Sequence, residues 1–183
     1  WKAQAIVRGD SAITEYIEHK PIEGKVRLID EPVVIMPRFI FTSMTNSLIK
    51  TMGEMSAGGV SDRAYMDMGK ENVKHYKEMG ITDPNTLADM AFTFFSQMGW
   101  FRIVSMTWNE AEKTKTIVLE HTVESESFGN IGKKVCYGTA GLLAGIIEGA
   151  FGIKVRGKEI SCRSKGDANC VFEIKNRDDG NGS

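Results

Sequence analysis

Glycines at positions 138, 141, 145, 149 and 152 recur every three or four residues within an otherwise apolar segment. At 100° per residue they fall within about 80° of arc on a helix, leaving one stripe of its surface bare of side chains. Leu142, Leu143, Ile146, Ile147, Ala150 and Phe151 cover most of the rest. Each interior glycine costs a helix about 1 kcal/mol relative to alanine, so another surface must approach the stripe closely enough to offset that cost. The spacing therefore predicts a helix from about Lys133 to Phe151, packed tightly on a sheet or on a second helix. A ligand-cavity wall and a dimer seam are the two other uses of such a face. Small-xxx-small spacing also occurs in membrane helix pairs. Here the apolar stretch is shorter than the ~20 residues a span requires, and Glu148 interrupts it. Neither a Gly-x-Gly-x-x-Gly fingerprint after a strand nor a Gly-Lys-Ser/Thr loop is present, so no phosphate cradle is indicated.

The surrounding patterns alternate between the two periods. Lys25 to Ile29 and Val33 to Met36 read as short strands. Ile40, Met44, Leu48, Ile49 and Met52 mark a helix from Phe39 to about Met55, expected to end at Ala57-Gly58-Gly59. Ser61-Asp62 then offers an N-cap for a second helix that Gly80 stops, and Asp83-Pro84 opens a third that Gly99 closes. Trp100 to Trp108 and Thr114 to Val123 read as paired strands, with a loop from Ser125 to Gly132. Two more strands, about Lys154 to Arg163 and Asn169 to Lys175, follow the striped helix. The fold class expected is α+β, an antiparallel sheet packed with several helices. Residues 1–30 are read as an N-terminal extension or first strand, 31–176 as a single domain, and 177–183 as a disordered polar tail.

With 183 residues, 42% of them apolar and 26% charged, the chain is long enough to bury a core without a disulfide framework. Its 23 basic and 24 acidic side chains leave a net charge of −1, without the basic excess that marks nucleic-acid binding. The N-terminus lacks a signal-peptide pattern, and no membrane span is expected. Three cysteines (Cys136, Cys162 and Cys170) are an odd number and suit a reducing, cytoplasmic setting.

Cys162 and Cys170 are equidistant from Gly166, so a simple hairpin about that glycine sets them opposite each other. That geometry allows a disulfide, two idle thiols or two metal thiolates. Glu159 lies three residues before Cys162, on the opposite face of a regular strand, and joins the cysteines only through a bulge or bend. Cys136, at the start of the striped helix, offers a third sulfur.

The run Gly141-Leu142-Leu143-Ala144-Gly145-Ile146-Ile147-Glu148, followed by Val155, Glu159, Cys162, Gly166-Asp167, Cys170 and Phe172, resembles the signature of 4-vinyl-reductase-type domains. These are related to the sensor domains of phenol- and toluene-responsive bacterial activators and to small subunits of the Golgi-tethering TRAPP complex. The resemblance is most specific from Phe128 to Ile174 and runs more loosely back to Pro32. It implies a structural Zn2+ held by Cys136, Glu159, Cys162 and Cys170. It also implies a small aromatic or hydrocarbon ligand and, together with the amphipathic helices before residue 100, a homodimer.

Trp100, Trp108, Phe128 and Tyr137 are the candidate ligand-binding residues, expected around a pocket between helices and sheet. Ten methionines add adaptable apolar volume, and the plainer use of all these side chains is a core. No nucleophile is paired with a base, and no histidine or carboxylate pair forms a catalytic pattern, so no catalytic residue is assigned. The function expected is a ligand-sensing domain with structural zinc. A reductase acting on a vinyl-bearing tetrapyrrole and a dimeric tethering scaffold are the alternatives.

Overall fold

A computed structural model describes residues 13–28, 31–111 and 113–177. Three short strands, β1 (Ile17–Lys20), β2 (Lys25–Leu28) and β3 (Glu31–Val33), form a small antiparallel sheet in sequential order. Three helices follow: α1 (Phe39–Met52), α2 (Glu54–Glu78) and α3 (Pro84–Gln97). The larger sheet holds β4 (Arg102–Asn109), β5 (Thr114–Glu120), β6 (Val155–Ser161) and β7 (Cys170–Asn176) in the order β4-β5-β7-β6, all antiparallel. A one-and-a-half-turn helix, α4 (Val123–Phe128), and the striped helix, α5 (Tyr137–Phe151), connect its two halves. This is the mixed helix and antiparallel-sheet architecture the sequence implies.

Twelve of the fifteen residues of α5 are buried, because α2 covers one side and the large sheet the other. The glycine stripe faces α2. A Cβ on Gly141 would penetrate the Asp62 carbonyl oxygen, and one on Gly145 the Met66 carbonyl oxygen. Gly69 answers from α2, where an added Cβ would lie 2.7 Å from the Leu142 carbonyl oxygen. The offsetting contact is thus helix on helix, at a separation only glycine permits. On the opposite side of α5, Gly157 of β6 comes against the Ala140 carbonyl.

Polar groups fix the axial position of α5. The buried Glu148 carboxylate takes an ion pair from Lys70 Nζ at 2.7 Å and a hydrogen bond from the Val155 N–H at 3.1 Å. Burial alone would push its pKa up, but these partners hold it below the ordinary value. Lys77 Nζ donates to the Gly149 carbonyl near the helix C-terminus, where a cation is favoured.

Several boundaries differ from the sequence pattern. The first helix ends at Gly53, with φ +82°, and not at Ala57-Gly58-Gly59, which lies inside α2. Gly58 sits there because the Tyr137 ring packs on it, 3.2 Å from where a Cβ would be. Asp62 is consequently a mid-helix residue rather than an N-cap. The strand expected at 33–36 is β3, ending at Val33, and β1 had no clear pattern. The stretch after β5 is helical: Thr122 caps α4 by accepting the Ser125 N–H. The striped helix starts at Tyr137 rather than Lys133. Of the tail, Arg177 alone is described, its N–H donating to the Lys154 carbonyl; Ile29 and residues 178–183 lie outside the described residues.

Candidate metal centre and ligand cavity

The last hairpin places its cysteines as the symmetry about Gly166 requires. Ser161 pairs with Val171, so Cys162 and Cys170 sit one step further toward the turn, which Gly166 closes at φ +107°. The register shifts between Glu159 and Ser161, and this irregularity lets Glu159 pair with the buried Phe172. Glu159 therefore shares a face with Phe172 and Cys170, as only a bulge allows. Cys136 arrives from the start of α5.

The three sulfurs and a Glu159 carboxylate oxygen all lie within 4.8 Å of one another. Cys136 Sγ is 3.8 Å from Cys162 Sγ and 3.9 Å from Cys170 Sγ. All three cysteines are unpaired and fully buried, and Glu159 is 9% exposed. Glu159 Oε2 accepts the Cys136 N–H at 3.2 Å, while its buried Oε1 has no hydrogen-bond partner.

A donor set of this kind fits a divalent metal. Tetrahedral thiolates at about 2.3 Å from zinc stand roughly 3.8 Å apart, the spacing of these sulfurs. The orphaned Oε1 supplies the fourth donor and the reason for its own burial. With protons alone, charge gathers on one sulfur. Contacts from Cys136 and Cys162 hold Cys170 down at about 3, and Cys162 and then Cys170 push Cys136 well up. Burial raises Glu159 to about 8. Thr122 Oγ1 lies 3.2 Å from Cys136 Sγ and 3.6 Å from Cys170 Sγ, and the Arg163 N–H donates to Cys170 Sγ. These groups favour ionised sulfur.

Glu124 is the residue nearest this site that sequence reasoning passed over. Fully buried, it accepts the Gly138 and Thr139 N–H groups at 2.9 and 2.8 Å and the Thr139 hydroxyl at 2.8 Å, capping α5 from a separate helix. Burial nevertheless raises its pKa to about 7. The available signal was Thr122 ahead of an acidic first turn, the mark of a helix start.

A cavity of about 1050 Å³ opens elsewhere, between the small sheet, α2 and α3. Leu28 and Val33 line one wall, Phe94 and Met98 another, and Asn72 and Tyr76 a third. Trp100 lines it as well, ringed edge-on by Phe41, Tyr65 and Phe95 at centroid distances of 5.2–5.6 Å. The other three aromatic candidates do not join it. Trp108 is 50% exposed near the end of β4, and Phe128 and Tyr137 line a separate cavity of about 190 Å³. The two regions meet at one point: Thr122 touches the sulfurs, while Val123 lines the large cavity and donates its N–H to the Trp100 carbonyl at 2.7 Å. Among the described residues no helix is long and apolar enough to cross a membrane.

Residues 116–176 match the sequence profile of the vinyl-4-reductase domain. An uncharacterised protein of Methanocaldococcus jannaschii is 27% identical over 132 residues, 69% of this chain and 72% of its own. Among solved structures, the phenol-responsive sensory domain of the transcription activator PoxR, solved with phenol, superposes with a TM-score of 0.74 at 16% identity, covering 94% of this chain and 89% of that one. A vinyl-4-reductase family protein from Methanocaldococcus jannaschii gives 0.53 at 18% identity, over 80% of this chain and 85% of its own. A trafficking protein particle complex subunit 3 from Naegleria fowleri, covalently bound to palmitic acid, gives 0.55 at 14%, over 76% and 95%. The segment from β5 to the end of β7 is therefore a vinyl-4-reductase domain match, carried on the fold of the phenol-responsive sensory domain.

Proposed function

We propose that this chain is a ligand-binding sensory module in which a structural Zn2+, held by Cys136, Glu159, Cys162 and Cys170, fixes the wall of an apolar cavity. The observation that carries the reading is the cavity itself, about 1050 Å³ with mostly apolar walls, in a fold shared with a small-molecule sensor. All four metal donors would be protein groups, so the metal would have no open position for substrate and would act by tying α5 to the last hairpin. Zinc fits better than harder cations because three of the four donors are sulfur.

Residues 31–176 act as the functional unit in this reading. Phe39, Met44 and Met55, exposed on α1 and the start of α2, favour a homodimer that covers them. Three buried thiols kept unpaired suit a reducing cytoplasm. Of the aromatic candidates, Trp100 is the one placed to report a ligand. Native mass spectrometry of the purified full chain tests the reading. One zinc per chain and an apolar organic adduct released on denaturation support it; a protein that neither carries nor takes up any apolar compound contradicts it.

A further inference from the structure

We propose that the cavity takes an uncharged, lipid-sized hydrophobe, elongated or polycyclic and bearing one hydroxyl or carbonyl end, rather than a single-ring phenol. The inference deepens the ligand-binding reading and rests on it. Size is the first argument. A cavity of roughly 150 Å³ is enough to hold one benzene ring, so about 1050 Å³ is about seven times that space. It lies at the top of the ~300–1,000 Å³ range that suits drug-sized ligands. A lone phenol would leave most of the wall without partner atoms and forfeit their dispersion energy.

Charge is the second argument. The lining contains one guanidinium, Arg38, and two carboxylates, Glu71 and Glu78. Arg38 already donates to the Gly99 carbonyl at 3.2 Å, and Lys74 pairs with Glu71 and Glu78 at 2.7 and 4.0 Å. Even with His75 protonated, the lining holds no excess positive charge to receive a carboxylate head. The cavity thus disfavours a fatty acid as well as a phenol, on separate grounds.

Asn72 and Tyr76 supply the polar end. They lie one turn apart on α2, share a hydrogen bond, and both line the cavity. Asn72 Oδ1 is buried without a partner, and the Tyr76 hydroxyl stays neutral because burial raises it to about 12. Together they offer one acceptor and one neutral hydroxyl, enough to fix a single hydroxyl or carbonyl group.

Calorimetric titration of the zinc-loaded full chain at neutral pH with phenol, the primary alcohols from hexanol to dodecanol, and lauric acid tests this. Affinity is expected to rise about fourfold per methylene through dodecanol, which binds at least about 100-fold more tightly than phenol. Lauric acid is expected to bind about tenfold or more weakly than dodecanol. Phenol matching dodecanol, a plateau near hexanol, or tighter lauric acid would each overturn the assignment while leaving a ligand-binding domain in place. Failure of every compound to bind would remove the ligand-binding reading itself.

Discussion

The two ends of the molecule solve opposite problems. Around the hairpin of β6 and β7, four donors converge within 4.8 Å, every sulfur is buried, and glycines let α5 lie directly on α2. Around the small sheet and the first three helices, packing stops short of filling the space, and about 1050 Å³ stays open among apolar side chains. One end resembles a clamp and the other a container. Interiors normally close to crystal-like density, so a container needs a rigid neighbour to stay open. The clamp is that neighbour, joined to the container through Thr122 and Val123.

Breaking the clamp should have the largest effect. Cys162→Ser or Cys170→Ser is expected to lower stability by more than about 4 kcal/mol, because metal binding to a site absent from the unfolded chain is folding energy. Cys136→Ser should follow closely and Glu159→Gln should cost less, since water can replace one oxygen donor. Denaturant melts with parallel zinc analysis check the order. Equal losses of stability with unchanged zinc content would break the link between clamp and metal.

The helix pair comes next. Gly141→Ala and Gly145→Ala are each expected to cost about 3 kcal/mol, as overpacking against the α2 backbone outweighs the gain in helix propensity. Gly149→Ala meets only the Val73 side chain, at 3.1 Å, and the Lys70 Cα, at 3.3 Å, and should be close to neutral. Thermal melts of the three variants measure the contrast directly.

The glycine pattern and the Cys-Glu spacing were legible because each is set over a few residues. Period fixes which side of α5 is bare, and the hairpin's symmetry fixes which cysteines face each other. Even the bulge at Glu159 followed from strand parity, since three residues apart on a regular strand cannot share a face. The container was not legible in the same way. Its walls come from β1 to β3, the loop after them, α2 and α3, segments distant in sequence whose gap depends on how they dock. Trp100, Trp108, Phe128 and Tyr137 are near one another along the chain yet point to three different places. The first helix boundary moved for a related reason: Gly58 reads as a breaker locally, but the Tyr137 ring packed on it makes glycine fit mid-helix.

A pH measurement sharpens the comparison from inside the clamp. Glu124 has a folded pKa raised to about 7 from an ordinary 4.5, so the unfolded chain releases its proton first as pH rises. Its contribution therefore declines between about pH 4.5 and 7 and stays low above that range. Glu124→Gln, which keeps an acceptor for α5, should gain on the wild type across that window by on the order of 1 kcal/mol. A difference that is flat with pH would mean the carboxylate is already ionised in the folded protein.

The smallest effect is expected at Trp108. It lies half exposed near the end of β4, away from both regions, so Trp108→Ala should leave zinc content and ligand binding unchanged and cost about 0.5 kcal/mol or less. Trp100→Ala should instead cost about 3 kcal/mol and change the binding of apolar compounds, because it empties an aromatic cluster on the container wall.

The central claim is that the clamp is a metal site, and elemental analysis of the untagged, purified full chain tests it most directly, paired with thiol titration before and after a strong chelator. The account expects about one zinc per chain, thiols that react slowly until the metal is removed, and a melting temperature that drops on chelation. A metal-free protein with three promptly titratable cysteines and an unchanged melt would contradict it.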